Sequence, residues 1–385
     1  MKTRKKKLII GITAPQSIIL MHGQLKYFSS IGYDVFLLAC PTEKVTKFCE
    51  EENATLLPIK IEREIKPLKD LVTLFAIWRI FRKVKPDIIN LGTPKISLLG
   101  MTAAKLLGVG HRIYTCRGFR FEHEKGFLRK VLLLMEKFTV SQAHKVVCIS
   151  PSVLELGISE KIFSKEQTTI IHKGSSNGID LNLFNPDIIK SDEKNKLKKE
   201  FDIKEDDLII GYVGRIIERK GINELFDAFQ KIHKKNQKTK LLIVGRPYFD
   251  QLTNPNIIPE MDNHPGVILA GLQPIDQIPL FLSSFDIFVL PAYWEGFGNV
   301  LVQAAAMGLP VISTEATGTR DAVKKDFNGI LVKPKSSDEL FKAMELLIEN
   351  KPLRTQMGQN GISWAKNFEN KLIWEGLNNL YQNGI

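Results

Sequence analysis

Short apolar runs of strand character alternate with amphipathic segments along almost the whole chain, and this alternation stops once and then restarts. In the first half the strand-like runs are 8–13, 34–39, 55–61, 87–91, 112–116, 145–149 and 169–172, with helical patterns at 21–31, 42–52, 68–84, 97–107, 124–139 and 151–156 between them. Strand and helix in strict alternation give crossover connections, and these place successive strands parallel in a doubly wound sheet. The pattern breaks at HKGSSNGIDLNLFNPD, a stretch rich in Gly, Ser and Asn, and a run of charge follows over 190–200. It resumes with strands at 208–213, 240–244, 267–270, 287–290, 311–313 and 330–332, and helices at 222–235, 275–283, 300–307, 319–324 and 337–349. The stretch 352–381 reads as helical, with Gly358 and Gly361 as breaks. At 385 residues the chain exceeds one compact core. The reading is α/β: two Rossmann-like domains, 1–174 and 201–362, joined by a linker at 175–200 and facing a cleft.

A formal net charge of +12 favours an acidic partner, whether nucleic acid, an anionic membrane face or a phosphorylated substrate. Cys40, Cys49, Cys116 and Cys148 show neither CxxC spacing nor a nearby His cluster, which suits free thiols in a reducing compartment. The basic run from Met1 to Lys7 precedes apolar residues, as in a signal peptide. Pro15, Gln16 and Ser17 interrupt it, and no small-residue cleavage site follows, so a first strand is expected instead. No apolar run approaches the ~20 residues needed to span a bilayer, and the chain is expected to be cytoplasmic.

Two stretches could carry chemistry. DIFVLPAYWEGFGNVLVQAAAMGLPVI, from Asp286 to Ile312, reads as strand, glycine-rich loop, helix and strand. Unpaired N–H groups and the positive end of the dipole at that helix start favour an anion. Glu295, a carboxylate beside it, suits sugar hydroxyls, so a phosphorylated sugar is the expected ligand. The plainer reading of Glu295 is a surface carboxylate or helix-cap partner. The second stretch is Gly214-Arg215 at the end of a strand, followed by Lys220-Gly221 at a helix start. Two cations on a glycine-bounded turn can hold a diphosphate by charge-assisted hydrogen bonds; the alternative is an ordinary turn with solvated cations. Neither a Walker A loop nor a GxGxxG fingerprint is present. Gln303 stands among Val302, Ala304, Ala305 and Ala306, where a polar side chain needs solvent or a partner.

GR-x4-KG followed by EGFGNVLVQAAAMGLPVI resembles the retaining glycosyltransferases of family 4, which have the GT-B fold. The family pattern E-G-F-x-x-x-x-x-E-A-x-A-x-G-x-P-V-I is matched except at its second glutamate, here Gln303. The resemblance covers nearly the whole chain and implies a final helix, 363–385, returning to the first domain. It implies that Arg215 and Lys220 bind the donor diphosphate near Gly214, and that Glu295 contacts the donor sugar. Gly296, Phe297, Gly298 and Asn299 would bring backbone amides to the phosphates, and Gln303 would take the ribose hydroxyls, without the charge of a glutamate. Gly23 matches a glycine loop close to the donor phosphates. Arg117 stands where many members carry a histidine; it cannot act as a general base but could hold a phosphate. Asn177, in the linker, matches a turn that faces the cleft.

The implied activity is transfer of a sugar from a UDP-linked donor to a lipid-linked saccharide, as in the subgroup that builds capsular and other surface polysaccharides. No cofactor and no metal is expected, and the sequence has no DxD motif. Basic amphipathic segments at 66–85 and 127–138 suit either core-packed helices with solvated faces or docking on the inner, anionic face of a membrane. The alternatives are a UDP-sugar epimerase of similar plan and a nucleic-acid-binding protein. Scattered cations do not form the continuous basic face that the latter needs, so no nucleic-acid partner is expected.

Overall fold

A computed structural model describes residues 4–62 and 66–382; the first three residues of the basic N-terminal run and the last three of the C-terminal segment lie outside them. The chain divides into two compact units, Met1–Gly178 with Asn370–Ile385, and Ile179–Glu369.

The first unit holds strands β1 (Lys7–Gly11), β2 (Asp34–Ala39), β3 (Thr55–Pro58), β4 (Ile88–Leu91), β5 (His111–Cys116), β6 (Lys145–Cys148) and β7 (Thr168–Thr169). Its helices are α1 (Gln24–Ser30), α2 (Glu43–Glu51), α3 (Pro67–Val84), α4 (Pro94–Leu106), α5 (Gly126–Gln142) and α6 (Pro151–Ser159). The strands form one sheet in the order β3-β2-β1-β4-β5-β6-β7, and each pairing is parallel. The central strands β1 and β4 are apolar because both faces are covered. Leu8 and Ile10 belong to one core layer, and Ile9 to the other.

The second unit holds α7 (Ser191–Glu200), β8 (Leu208–Val213), α8 (Ile222–Lys235), β9 (Thr239–Val244), α9 (Ile257–Asp262), β10 (Val267–Gly271), α10 (Ile278–Ser283) and β11 (Ile287–Leu290). It continues with α11 (Asn299–Ala306), β12 (Val311–Thr314), α12 (Thr319–Ala322), β13 (Gly329–Val332), α13 (Ser337–Glu349) and α14 (Lys351–Ala365). Its parallel sheet runs β10-β9-β8-β11-β12-β13. The last helix, α15 (Asn370–Gln382), packs on the first unit, burying Ile373, Leu377 and Tyr381 among residues such as Leu25, Phe28 and Ile171.

Within the linker expected at 175–200, Ile179 opens the second unit, and the charge run is helix α7, anchored by buried Leu197. The second unit extends to Glu369, beyond the expected 362. Gly358 and Gly361 do not break the C-terminal helix. They lie inside α14, where a Cβ on Gly358 would stand 2.1 Å from the Gly308 oxygen, and one on Gly361 3.0 Å from the Ala305 oxygen. The two glycines let α14 lie close against α11, and the chain turns instead at 366–369. Among the described residues no helix is long and apolar enough to cross a membrane.

Candidate functional site

The order of the second sheet reverses between β8 and β11, and in an open α/β sheet ligands bind outside the carboxyl ends at such a point. Arg215 leaves the end of β8, and Glu295 lies on the loop after β11, so two motifs far apart in sequence converge here. Gly221 makes the convergence possible. Its φ is +70°, and a Cβ there would stand 2.1 Å from the Pro291 oxygen. Only glycine lets the start of α8 press against the loop leaving β11.

Lys220 Nζ lies 2.5 Å from Glu295 Oε1, and Arg219 Nη1 lies 3.1 Å from the same oxygen. Arg219 also donates to the Trp294 carbonyl at 3.2 Å, stacks over the Trp294 ring at 5.7 Å, and its carbonyl accepts from the Tyr293 amide at 2.8 Å. Exposed Arg215 sits over Tyr248, 5.8 Å from the ring centre. The Glu295 side chain is only 15 % exposed. Burial resists its ionisation, but Lys220, Arg219 and Arg215 outweigh that and hold the carboxyl below its usual range. Burial draws the Lys220 ammonium below the ordinary lysine range; Glu295 opposes this, and Arg219 and Arg215 add to it. Three cations against one carboxylate leave two net positive charges. A cluster of that kind can hold an anion beside one hydrogen-bond-accepting carboxylate.

The loop after Glu295 is held from below. Gly318 has φ +76°, and a Cβ there would stand 2.2 Å from the Glu295 oxygen. The Glu295 amide donates to the Thr317 carbonyl at 2.9 Å, and Gly298's to Gly318 at 3.4 Å. The Asn299 amide donates to Phe297 at 2.9 Å. Two of the four amides expected at the phosphates, those of Gly298 and Asn299, thus have acceptors within the protein. The Phe297 ring is buried 5.3 Å from Phe368 and anchors the loop. Gln303 is half-buried in the second turn of α11, and among the described residues its side-chain amide has no hydrogen-bond partner. Gly214 donates its amide to Val244 at 2.9 Å and so extends the sheet rather than facing solvent.

In the first unit, Arg117 leaves the end of β5 with no ion pair among the described residues, and its buried Nε has no hydrogen-bond partner. Gly92 makes room for it, since a Cβ there would stand 1.6 Å from Nη1. Burial draws the guanidinium down to about 10, against the opposing influence of Tyr114, Tyr381 and Cys116. Gly23 and Asn177 have hydrogen-bond partners within the first unit. The Gly23 amide donates to the buried Glu52 carboxylate at 2.6 Å. Asn177 donates to the His22 carbonyl at 2.9 Å and accepts from Trp374 Nε1 at 2.7 Å, which uses both ends of its amide.

The family model described as glycosyl transferases group 1 matches residues 193–364, and the one described as glycosyl transferase 4-like matches residues 12–150. The chain is 34 % identical to the capsular polysaccharide biosynthesis glycosyltransferase CapM of Staphylococcus aureus, over 98 % of this chain and 97 % of that one. The chain belongs to the group 1 glycosyltransferases. As a member it is a glycosyl-transferring enzyme of class EC 2.4. An Escherichia coli relative, UDP-Gal:alpha-D-GlcNAc-diphosphoundecaprenol alpha-1,3-galactosyltransferase, is 26 % identical over 89 % of this chain and 84 % of its own. The solved structure of Anabaena HepE in complex with UDP superposes with a TM-score of 0.80 at 19 % identity, covering 97 % of this chain and 98 % of that one. That likeness shows the GT-B fold, with two Rossmann-like parallel sheets.

The charged cluster of this group 1 glycosyltransferase lies wholly inside the first of the two matched regions, and Arg117 inside the second. Arg219 was not singled out from the sequence. The one signal was its place as the last residue of the x4 in GR-x4-KG, beside Lys220.

A buried carboxyl lies apart from this cluster. Burial pushes Glu136 from 4.5 up to about 7, against a hydrogen bond from Tyr114 at 2.9 Å. An acid raised in the folded state binds more protons folded than unfolded between those two values, so stability falls as pH rises through that window. The full cost, about 3 kcal/mol, is present above it. Glu136→Gln should therefore raise the urea midpoint at about pH 8 and leave it nearly unchanged at about pH 4. Equal gains at both pH values would count against a neutral carboxyl.

Proposed function

We propose that this enzyme moves a sugar from a UDP-sugar, with retention of configuration, to a saccharide carried on polyprenyl diphosphate in the synthesis of a surface polysaccharide. The observation that carries the reading is the cluster of Arg215, Arg219, Lys220 and Glu295, with two net positive charges around one carboxylate at the carboxyl ends of β8 and β11. Arg215 and Lys220 take the donor diphosphate, and Glu295 accepts from hydroxyls of the donor sugar. The cations stabilise the leaving diphosphate as the glycosidic bond breaks. A leaving phosphate oxygen takes the proton of the acceptor hydroxyl, which attacks the same face. No bound metal or cofactor forms part of this reading. The names of the relatives support it: one takes part in capsular polysaccharide biosynthesis, and another uses UDP-Gal and a diphosphoundecaprenol-linked sugar.

A lipid-linked acceptor places the enzyme on the cytoplasmic face of a membrane. In support, α3 exposes Leu68, Leu71, Val72 and Phe75 at helical spacing, and α5 exposes Phe127, Leu134 and Phe138. Arg79, Arg82, Lys83 and Lys130 are exposed on the same helices. Basic groups on such a face add about 1 kcal/mol each on an anionic leaflet. The epimerase alternative has less support, since the relatives named above are transferases.

A thermal-shift panel of nucleotide sugars tests the donor, because a ligand of the folded state raises its stability by mass action. UDP-sugars should stabilise the protein, and GDP- and ADP-sugars should not. A UDP-sugar converted to a second UDP-sugar without acceptor would overturn the transferase reading. Gln303→Glu should bind UDP equally or up to about tenfold more tightly, since a carboxylate accepts from the ribose hydroxyls with charge assistance. A large loss by titration would show that the pocket requires a neutral group.

A further inference from the structure

The first unit contains a cavity of about 290 Å³ that the donor chemistry leaves unused. It opens beyond the carboxyl ends of β1 and β4, where the order of the first sheet reverses, and runs beneath α4 and α5. Ala14, Pro94, Leu98, Phe121, Leu132 and Met135 supply its apolar walls.

Most polar groups on those walls already have partners inside the protein. Thr13 and Thr93 hydroxyls meet at 2.8 Å, Lys95 pairs with Asp70 at 2.7 Å, and Glu136 accepts from Tyr114 at 2.9 Å. The Thr139 hydroxyl donates to the Met135 carbonyl at 2.8 Å. A saccharide entering here would lose water from its hydroxyls and gain little in return. A hydrocarbon loses nothing polar and gains burial. Arg120 lines the same cavity, is exposed, and has no ion pair among the described residues. The ligand that fits is therefore a hydrocarbon chain with an anionic group at one end.

We propose that this cavity holds the first isoprenoid units of the acceptor's polyprenyl chain, with the chain's diphosphate against Arg120. The proposal rests on the lipid-linked acceptor reading and adds the place where the chain sits. The exposed apolar residues of α5 lie on the outer side of the helix whose inner side, Leu132 and Met135, lines the cavity. The chain then has an apolar route from the bilayer inward.

The test is a binding titration on the full chain, with UDP saturating the donor cluster while the three probes are titrated, read independently of sugar transfer. The probes are farnesyl diphosphate, farnesol and inorganic diphosphate. Farnesyl diphosphate should bind the wild type at least about tenfold more tightly than inorganic diphosphate. Leu98→Trp, which fills the cavity from a half-buried position, should abolish that advantage and leave diphosphate and UDP affinities unchanged. Arg120→Ala, at an exposed position that tolerates change, should weaken both diphosphates alike and leave farnesol unaffected. Farnesyl diphosphate binding no tighter than inorganic diphosphate overturns the proposal. So does an advantage that survives Leu98→Trp, or one lost on Phe75→Ser and Phe127→Ser alone, which places the chain on the outer face. If no sugar transfer is found at all, the acceptor reading fails, while these affinities still decide whether a prenyl chain occupies the cavity.

Discussion

Glu295→Gln should lower sugar transfer by about a thousandfold while UDP binds as tightly as before or more tightly. The two effects have opposite signs because one carboxylate serves two neighbours. In the proposed reaction it is the hydrogen-bond acceptor for the donor sugar. For the diphosphate it is the negative charge that partly cancels Arg215, Arg219 and Lys220. Its neutral isostere raises the cluster from two net positive charges to three. Glutamine suits the test better than alanine, since it keeps an oxygen for Lys220 and Arg219, whose contacts at 2.5 and 3.1 Å hold the loop. Leaving those cations without an acceptor at position 295 in a buried site would cost several kcal/mol and blur the reading. Steady-state kinetics and a UDP titration on the same preparation check both halves. Loss of UDP affinity in step with turnover would mean that Glu295 organises the diphosphate site rather than the sugar.

Arg117→Met should raise stability and lower activity together. Burial draws the guanidinium well below the ordinary arginine range, to about 10. A base lowered in the folded state pays its cost wherever it stays charged in both states, so at neutral pH the cost is fully present, about 3 kcal/mol. Methionine removes the buried charge and keeps much of the volume. Transfer should fall by about a hundredfold if an anion is what this unpaired cation awaits. Thermal unfolding and turnover measured on one preparation decide it. A variant that loses stability as well as activity would assign Arg117 a purely structural role. Gly92→Ala gives an independent route, since its Cβ would displace Nη1 without removing the charge.

The stretch from Asp286 to Ile312 was readable because each of its parts has a local cause. A short apolar run makes β11, a glycine loop follows, and small residues make α11. The same locality explains what was missed. Arg219 reaches Trp294 and Glu295 only because Gly221 turns left-handed against Pro291, a contact between distant parts of the chain. The hydrogen bonds of Asn177 with Trp374 and of Gly23 with Glu52 likewise join distant parts of the chain, which no local pattern reveals. The glycines of α14 looked like helix breaks because a helix glycine signals either a break or a close neighbour, and only packing against α11 separates the two. For α7 a signal is present: Asp192 and Glu193 fall in the first turn and Lys198 and Lys199 in the last, as a helix dipole prefers.

In the proposed reaction a sugar leaves a nucleoside diphosphate held by Arg215 and Lys220, with Glu295 on the sugar, and joins a lipid-linked saccharide. Mass spectrometry after incubation with a UDP-sugar and a prenyl-diphosphate-linked saccharide tests it directly. The prediction is an acceptor heavier by one sugar residue, with UDP released in equal amount. An unchanged acceptor with a UDP-sugar that is intact or epimerised would contradict it.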